Sequence, residues 1–334
     1  MVVGAAWNGA RAFTSTSGPG ISLMQEFLGL AYYTEIPAVV FDIQRVGPST
    51  GMPTRTQQCD ILSAAYASHG DTKQVCLYPN SPEECFEFAP IAFDLAERLQ
   101  TPVLVLSDLD IGMNDWVCPE FKWDPAYQPD RGKVLTAEQL AGIEKFWRYY
   151  DHDGDGIPQR TLPGVHPKGA YFTRGSGHNQ YGGYTEDAKD YQIVVDRLRK
   201  KWLTAARLVP RAIIQHDPKV DIAIVSSGSC DGAVREALVR LRSRGVNVNY
   251  LRVRGFPFGE EIERFMAAHR MNFVVEQNRD AQLRSLLTLE TSIPKERMHS
   301  ILHYNGLPMP AGYIEDGVIA MVQDKQRPAA QRVN

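Results

Sequence analysis

The chain has 334 residues, 43% of them hydrophobic, and a net charge of −3, enough for two globular domains and too balanced for a basic face that tracks nucleic-acid phosphates. Its five cysteines form no CxxC pair, which argues against a structural zinc site or a cysteine-held iron–sulfur cluster within the chain. No stretch approaches the roughly 20 apolar residues of a membrane helix, and residues 1–13 lack a signal-peptide pattern, so a cytoplasmic location is the default expectation.

In chain order, residues 1–9 read as the tail of a helix, 10–16 as a short strand, and 21–34 as a helix by apolar spacing after a Gly-Pro-Gly turn. A continuous apolar run at 37–44 predicts a buried strand. A helix over about 54–68 and a strand over 73–79 follow, with Cys76 and Cys85 expected as buried thiols. Ser81-Pro82-Glu83-Glu84 supplies a capping box for a helix ending near Leu99, and 101–110 is the next strand. From 114 to 209 the pattern is irregular, with helices near 136–150 and 186–205. After Pro210, strands at 220–228, 246–253, 272–278 and 299–306 alternate with helices at 231–245, 257–269 and 281–290. The tail from 324 onward is expected to fray. Buried strands alternating with helices imply parallel pairing. The expected architecture is α/β: two doubly wound, mostly parallel-sheet domains, 1–113 and 210–325, joined by an irregular arm, 114–209.

In open α/β sheets, ligands gather outside the carboxyl ends of the strands, beside helix N-termini. Two motifs occupy that edge. "TSTSGPG" (14–20) offers Thr16 and Ser17 hydroxyls, with Gly18 and Gly20 allowing a tight turn and close ligand approach; the plainer alternative is a strand–turn–helix connection capped by Ser17. "QRVGPSTGMPTRTQQCD" (44–60) brackets Ser49, Thr50 and Thr54 between Arg45 and Arg55, with Arg55 expected at the start of the next helix. An arginine at that positive helix end calls for an anion, either a ligand carboxylate or Asp42, Asp60 or Asp71 of the chain.

These two motifs, with "HGDTK", "ECFEFAPIAFDLAERLQTPVLVLSDLDIGMN", "DRGKVL", "DGDGIPQRTLPG", "GAYFTRGSGH" and "VVEQNRDAQLRSLL", resemble the α subunit of 2-oxoacid:ferredoxin oxidoreductases of the 2-oxoglutarate type over nearly the whole chain. The resemblance implies a pyrimidine-type thiamine-diphosphate-binding domain, a transketolase C-terminal-like domain, and a hetero-oligomer with a β subunit. That subunit shares thiamine diphosphate and Mg with the α chain and carries a 4Fe-4S cluster. The implied reaction is oxidative decarboxylation of a 2-oxoacid, 2-oxoglutarate before pyruvate, to an acyl-CoA, with CoA as substrate and ferredoxin as electron acceptor. By resemblance Arg55 grips the substrate carboxylate, a bidentate task suited to arginine. Thr54, Arg45, Ser49 and Thr50 are its candidate companions, and the turn with Thr16, Ser17, Gly18 and Gly20 lies near the cofactor.

The sequence departs from the family pattern twice. Cys59 stands where the family has glycine, which crowds the backbone unless φ is negative. The glutamate that activates the aminopyrimidine is expected upstream of Met1, as is the usual fused N-terminal domain; Glu26 and Glu35 lie on the wrong side of the motif. The chain therefore reads as an N-terminally truncated subunit, with a catalytically inactive assembly subunit as the alternative. "DHDGDGIP" (151–158) alternates aspartates like a calcium loop but has Leu162 at its twelfth position, so a solvated acidic turn is expected and no metal ligand is assigned. "VSSGSCDGAV" (225–234) lacks a nucleotide fingerprint and reads as a subunit contact, and His69 reads as a loop histidine without function ahead of one near the site.

Overall fold

The computed structural model describes residues 1–326. Helix α1 (Val2–Trp7) leads to β1 (Phe13–Thr16), and α2 (Gly18–Leu23) and α3 (Gln25–Thr34) lead to β2 (Ala38–Gln44). The helix expected over 21–34 is thus two helices meeting at Met24, and the Gln25 side chain at the start of the second accepts the backbone N–H of Ser68. Helix α4 (Ile61–Ala65), β3 (Val75–Leu77), α5 (Pro82–Leu99), β4 (Pro102–Asp108) and α6 (Leu109–Met113) complete the first half. At α5 the Ser81 hydroxyl accepts the Glu84 N–H as expected, while the Glu84 carboxylate reaches one residue further back, to the N–H of Asn80.

The helix expected from 54 to 68 shrinks to the five residues of α4, and Arg55 lies outside it. Residues 55–60 are committed elsewhere. The Arg55 carbonyl accepts from Val46, and Gln58 donates its backbone N–H to Gln277. With Arg55 also donating to the Met52 carbonyl and Asp60 to the Gln44 side chain, three of the segment's backbone N–H groups are spent outside any helical turn.

The arm holds α7 (Ala137–Gly142) and the 21-residue α8 (Ala188–Leu208). Helix α7 stops short of 150 because 146–149 turn inward: Arg148 is buried and donates to the Glu35 carbonyl (2.8 Å), and Tyr149 is buried beside it. Then follow β5 (Ile213–Gln215), β6 (Ile222–Ser227), α9 (Cys230–Ser243), β7 (Asn249–Val253), β8 (Gly255–Phe256), α10 (Glu260–Ala267), β9 (Met271–Glu276), α11 (Gln282–Glu290), β10 (Met298–Leu302) and α12 (Ala311–Gln326). Helix α12 covers the start of the tail expected to fray; 327–334 lie outside the described residues.

The strands form two five-stranded sheets, ordered β1-β2-β4-β3-β8 and β10-β9-β6-β7-β5. Pairing is parallel except at one edge of each, where β8 and β5 run antiparallel. Sequence patterning missed both edge strands. A run of two or three residues is too short to show a period, and β8 joins the sheet of the other half. One apolar cluster spans the facing sides, uniting Val40, Leu104 and Phe256 with Val225, Leu251 and Val274. Across the same junction Arg252 grips Glu84 through both nitrogens (2.5 and 3.0 Å) and Arg254 adds a third bond (2.7 Å).

A second node ties the arm to the first sheet. Glu35, wholly buried, ends α3 in the left-handed conformation (φ 56°) and is held by Arg197 (2.9 and 2.6 Å) and Lys201 (2.7 Å) of α8. Gln100 ends α5 the same way (φ 51°), and its carbonyl accepts from the same Lys201 (3.1 Å). Two non-glycine residues in a region that favours glycine are fixed by one pair of α8 side chains.

The "DHDGDGIP" loop wraps α8. Lys133 binds Asp153 (2.7 Å) and Asp155 (2.9 Å), and Lys200 binds Asp151 (3.0 Å), so lysines take the carboxylates a cation would need. Gly156 (φ +81°) lies so close to α8 that a Cβ would stand 2.2 Å from the Lys201 backbone nitrogen.

His178 of the arm lies buried between Tyr33 and Tyr149, at 4.7 and 4.0 Å between centroids, and burial lowers its pKa to about 4. The unfolded chain takes up this proton near 6.5, so the ring's contribution to stability is complete above that pH and is lost as pH falls toward 4. Unfolding of the chain and of His178→Phe, compared between these limits, should show that loss in the former alone. Equal pH slopes would mean that the ring is not shielded.

Candidate functional site

The carboxyl edges of the two sheets face one another with residues 57–60 threaded between them. Gln58, buried, donates to Asp108 at the end of β4 (3.0 Å), and Ser229 after β6 donates to the same carboxylate oxygen (2.6 Å). Gln277 after β9 donates to Ser229 (3.0 Å), and Asn278 to the Gln58 carbonyl (3.0 Å). The "VSSGSC" loop is therefore engaged by its own chain: Gly228 (φ +57°) sits where a Cβ would stand 2.7 Å from the Gln58 amide nitrogen.

Beside this junction opens a cleft of about 840 Å³. One wall carries Gly18 and Ser22 of α2, Arg45, Ser49, Gln57, Cys59 and Asp60; the other carries Asn278, Arg279, Asp280, Gln282 and Tyr304. The volume lies within the roughly 300–1,000 Å³ of small-molecule sites. Tertiary structure brings Gly18, Arg45 and Ser49 of the expected residues to this lining. Thr16, Ser17 and Gly20 belong to the same turn just behind it. A Cβ at Gly20 would stand 1.7 Å from the Thr16 hydroxyl oxygen, so the turn closes on itself only with glycine there.

The arginine loop is a tight hairpin. Val46 and Met52 pair antiparallel, Ser49 and Gly51 have φ of 56° and 52°, and a Cβ at Gly51 would stand 1.9 Å from the Val46 carbonyl oxygen. Thr50 and Thr54 are exposed and stand outside the lining, as does Arg55. Arg55 packs its stem on Gly306, where a Cβ would be 3.0 Å from its own. It forms no ion pair with Asp42, Asp60, Asp71 or any other acidic side chain among the described residues. Arg45 is half-buried, with its Nε buried and without a partner. Cys59 has no positive φ, so the crowding expected from its replacing glycine does not arise. Its thiol donates to the Arg45 carbonyl (3.2 Å) and is pushed up to about 12 by burial and by Asp60.

Glu26 is exposed and Glu35 is committed to α8, so neither faces this cleft; His69, also exposed, lines a separate cavity at the far end of α4. Sequence reasoning missed Asn278, Arg279, Asp280 and Tyr304. The signal was present, because "NRD" follows β9 and Tyr304 follows β10, the same carboxyl-edge position that singled out the first two motifs. Among the described residues no three His, Cys, Asp or Glu side chains converge as metal ligands, and no helix is long and apolar enough to cross a membrane.

Residues 1–118 match the family described as pyruvate flavodoxin/ferredoxin oxidoreductase, thiamine diphosphate-binding. The 2-oxoglutarate synthase subunit KorA of Methanothermobacter marburgensis is 34% identical over 289 residues, 83% of this chain and 72% of that one. This chain belongs to the 2-oxoacid:ferredoxin oxidoreductase α-subunit family. The α subunit of 2-oxoacid:ferredoxin oxidoreductase 2 from Aeropyrum pernix is 37% identical over 314 residues, 92% of this α-subunit homologue and 47% of the Aeropyrum chain. The chain thus spans about half the length of such relatives. The solved 2-oxoglutarate:ferredoxin oxidoreductase from Magnetococcus marinus, with 2-oxoglutarate, coenzyme A and succinyl-CoA bound, superposes with a TM-score of 0.84 at 28% identity. That match covers 96% of this chain and 55% of the other.

Proposed function

We propose that this α-subunit homologue works with a β subunit in the thiamine-diphosphate-dependent oxidative decarboxylation of 2-oxoglutarate. CoA takes the succinyl group, CO2 leaves, and two electrons pass to ferredoxin. The observation that carries the proposal is the cleft itself. It joins the tight glycine turn, whose Gly18 lines it, with an arginine whose Nε is buried and unpartnered, at the carboxyl edge of a sheet whose sequence matches a thiamine-diphosphate-binding family. A buried guanidinium N–H without an acceptor costs free energy that an anionic ligand offsets.

In this reading Thr16, Ser17, Gly18 and Gly20 line the cofactor's pyrimidine side. Arg55, with Thr54, takes the 2-oxoacid carboxylate, and Arg45, Ser49 and Thr50 suit the distal carboxylate of 2-oxoglutarate. Bound thiamine diphosphate supplies the carbanion chemistry, while the chain's own residues fix the substrate's orientation and neutralise its charge. Thiamine diphosphate and Mg are shared with the β subunit, which carries the 4Fe-4S cluster, and the assembly is a cytoplasmic hetero-oligomer.

The test is co-purification of the chain with its cluster-bearing β subunit, followed by thiamine-diphosphate binding and ferredoxin reduction across a panel of 2-oxoacids. Preferred reduction with 2-oxoglutarate supports the assignment. An assembled complex that binds no thiamine diphosphate sinks it.

A further inference from the structure

Helix α4 is capped from the other half of the molecule. Asp60 occupies its N-cap position, where aspartate ordinarily accepts a backbone N–H of the first turn, yet the Asp60 side chain caps nothing there. The cap is Gln282, the first residue of α11. Its Oε1 accepts the Leu62 N–H (3.1 Å) across 220 residues of chain, while its Nε2 donates to the Cys59 carbonyl (2.7 Å). An amide donates and accepts from one planar group, which neither a carboxylate nor an ammonium does.

Two neighbours complete the grip. The Gln58 N–H donates to the Gln277 carbonyl (2.9 Å), and Asn278 donates to the Gln58 carbonyl (3.0 Å). The buried backbone between β2 and α4 thus finds its partners in the turn after β9. That turn is itself fixed. The Asn278 Oδ1 accepts the Gln282 N–H (3.1 Å). Glu276, buried at the end of β9, takes the Asn278 amide (2.9 Å) and the Leu283 N–H (2.6 Å) on one oxygen and the Arg284 N–H (3.1 Å) on the other. Glu276 thereby caps α11, whose own N-cap residue, Ala281, has no side chain that could.

The segment so held is a wall of the cleft. Cys59 and Asp60 line it together with Arg45, and Asn278 and Gln282 line the side opposite. The segment is also bonded to the arginine hairpin: the Cys59 thiol donates to the Arg45 carbonyl (3.2 Å), and the Arg55 carbonyl accepts the Val46 N–H (3.0 Å). The amides of Asn278 and Gln282 are each committed to the chain through nitrogen and oxygen alike, so their part in the cleft is to set its geometry.

We propose that Gln282 and Asn278 are positioning residues: they fix the 57–60 segment, and through it the arginine hairpin, so that the second α/β domain sets where Arg45 and Arg55 stand. The consequence for 2-oxoacid binding rests on the function proposed above; the mechanical coupling between α11 and the hairpin does not.

Amide hydrogen exchange on the whole chain tests the coupling without reference to catalysis. Gln282→Met, which keeps the length of the side chain and loses both hydrogen bonds, should speed exchange at Leu62 about tenfold or more. It should also speed exchange at Val46, to which Gln282 makes no hydrogen bond. Unchanged exchange at Leu62 overturns the cap. Faster exchange at Leu62 with Val46 unchanged reduces Gln282 to a local cap and overturns the positioning role. Gln282→Glu keeps an acceptor for Leu62 and loses the donor to Cys59, so Leu62 should stay protected while Val46 exchanges faster. Should Gln282→Met fail to fold, unchanged exchange at Val46 in Gln282→Glu overturns the positioning role by itself. In the complex with the β subunit, Gln282→Glu should raise the 2-oxoacid KM about tenfold with a smaller change in kcat, because displaced arginines weaken binding while the cofactor keeps the chemistry. An unchanged KM overturns the link from α11 to the substrate. An unsubstituted complex that shows no turnover counts against the proposed reaction and leaves the exchange outcomes to decide the coupling.

Discussion

Glu35→Gln should destabilise the chain by about 3–5 kcal/mol, the usual cost of removing one partner from a buried ion pair. Glutamine keeps the shape and loses the charge, leaving Arg197 and Lys201, each about 5% exposed at the side chain, with no buried anion between them. Burial alone would raise the Glu35 carboxyl, but Arg197 and Lys201 more than offset this and hold it at about 2. Its contribution is therefore full above the ordinary value of 4.5 and is lost as pH falls toward 2. The effect should reach beyond the local contact, because Arg197 also donates to the Gly156 carbonyl (3.0 Å) and Lys201 to that of Gln100 (3.1 Å). Urea unfolding of Glu35→Gln checks the magnitude. A loss below about 1 kcal/mol would mean that α8 re-pairs its cations elsewhere. Comparing both chains from pH 5 to pH 2 checks the sign, since their stabilities should converge in acid.

Arg55→Ala, assayed in the assembled enzyme, should lower kcat/KM for 2-oxoacids by about 10²–10³-fold, the scale expected when one member of a desolvated charge pair is removed. Arg55 is exposed and its guanidinium has no acidic partner among the described residues, so the substitution removes no ion pair from the fold and its thermal stability should hold. Arg55→Lys should recover only part of the loss, because an ammonium keeps the charge without the planar, bidentate fork. Unchanged kinetics in Arg55→Ala would remove this residue from the substrate site and turn attention to Arg45 and Arg279, the two guanidinium groups in the cleft lining.

Much of the fold was legible in the sequence. Strand β4, α5 with its Ser81 cap, and the alternation of β6, α9, β7 and β9 announce themselves through unbroken apolar runs and helical spacing over enough residues to be read. The candidate site was half legible. Gly18, Arg45 and Ser49 sit at the ends of strands whose positions local pattern fixes, whereas Asn278, Arg279 and Tyr304 reach the same cleft from more than 200 residues away. The misplaced helix at 54–68 has the same origin. Its residues have acceptable helical character, but Gln58 is drawn to Asp108, Ser229 and Gln277, which no local pattern can anticipate.

The sequence by itself determined the class of architecture, the location of the two ligand-edge turns and the family, because each is written in short-range pattern and ordered motifs. Tertiary structure alone decided that β8 would close the sheet of the other half, that Glu35 would bind α8 instead of facing the cleft, and that Gln58 and Ser229 would meet on Asp108. Backbone periodicity is a property of neighbouring residues. The partner of a buried charge is set by which distant segment excludes water from it, and that is known only once the chain has packed.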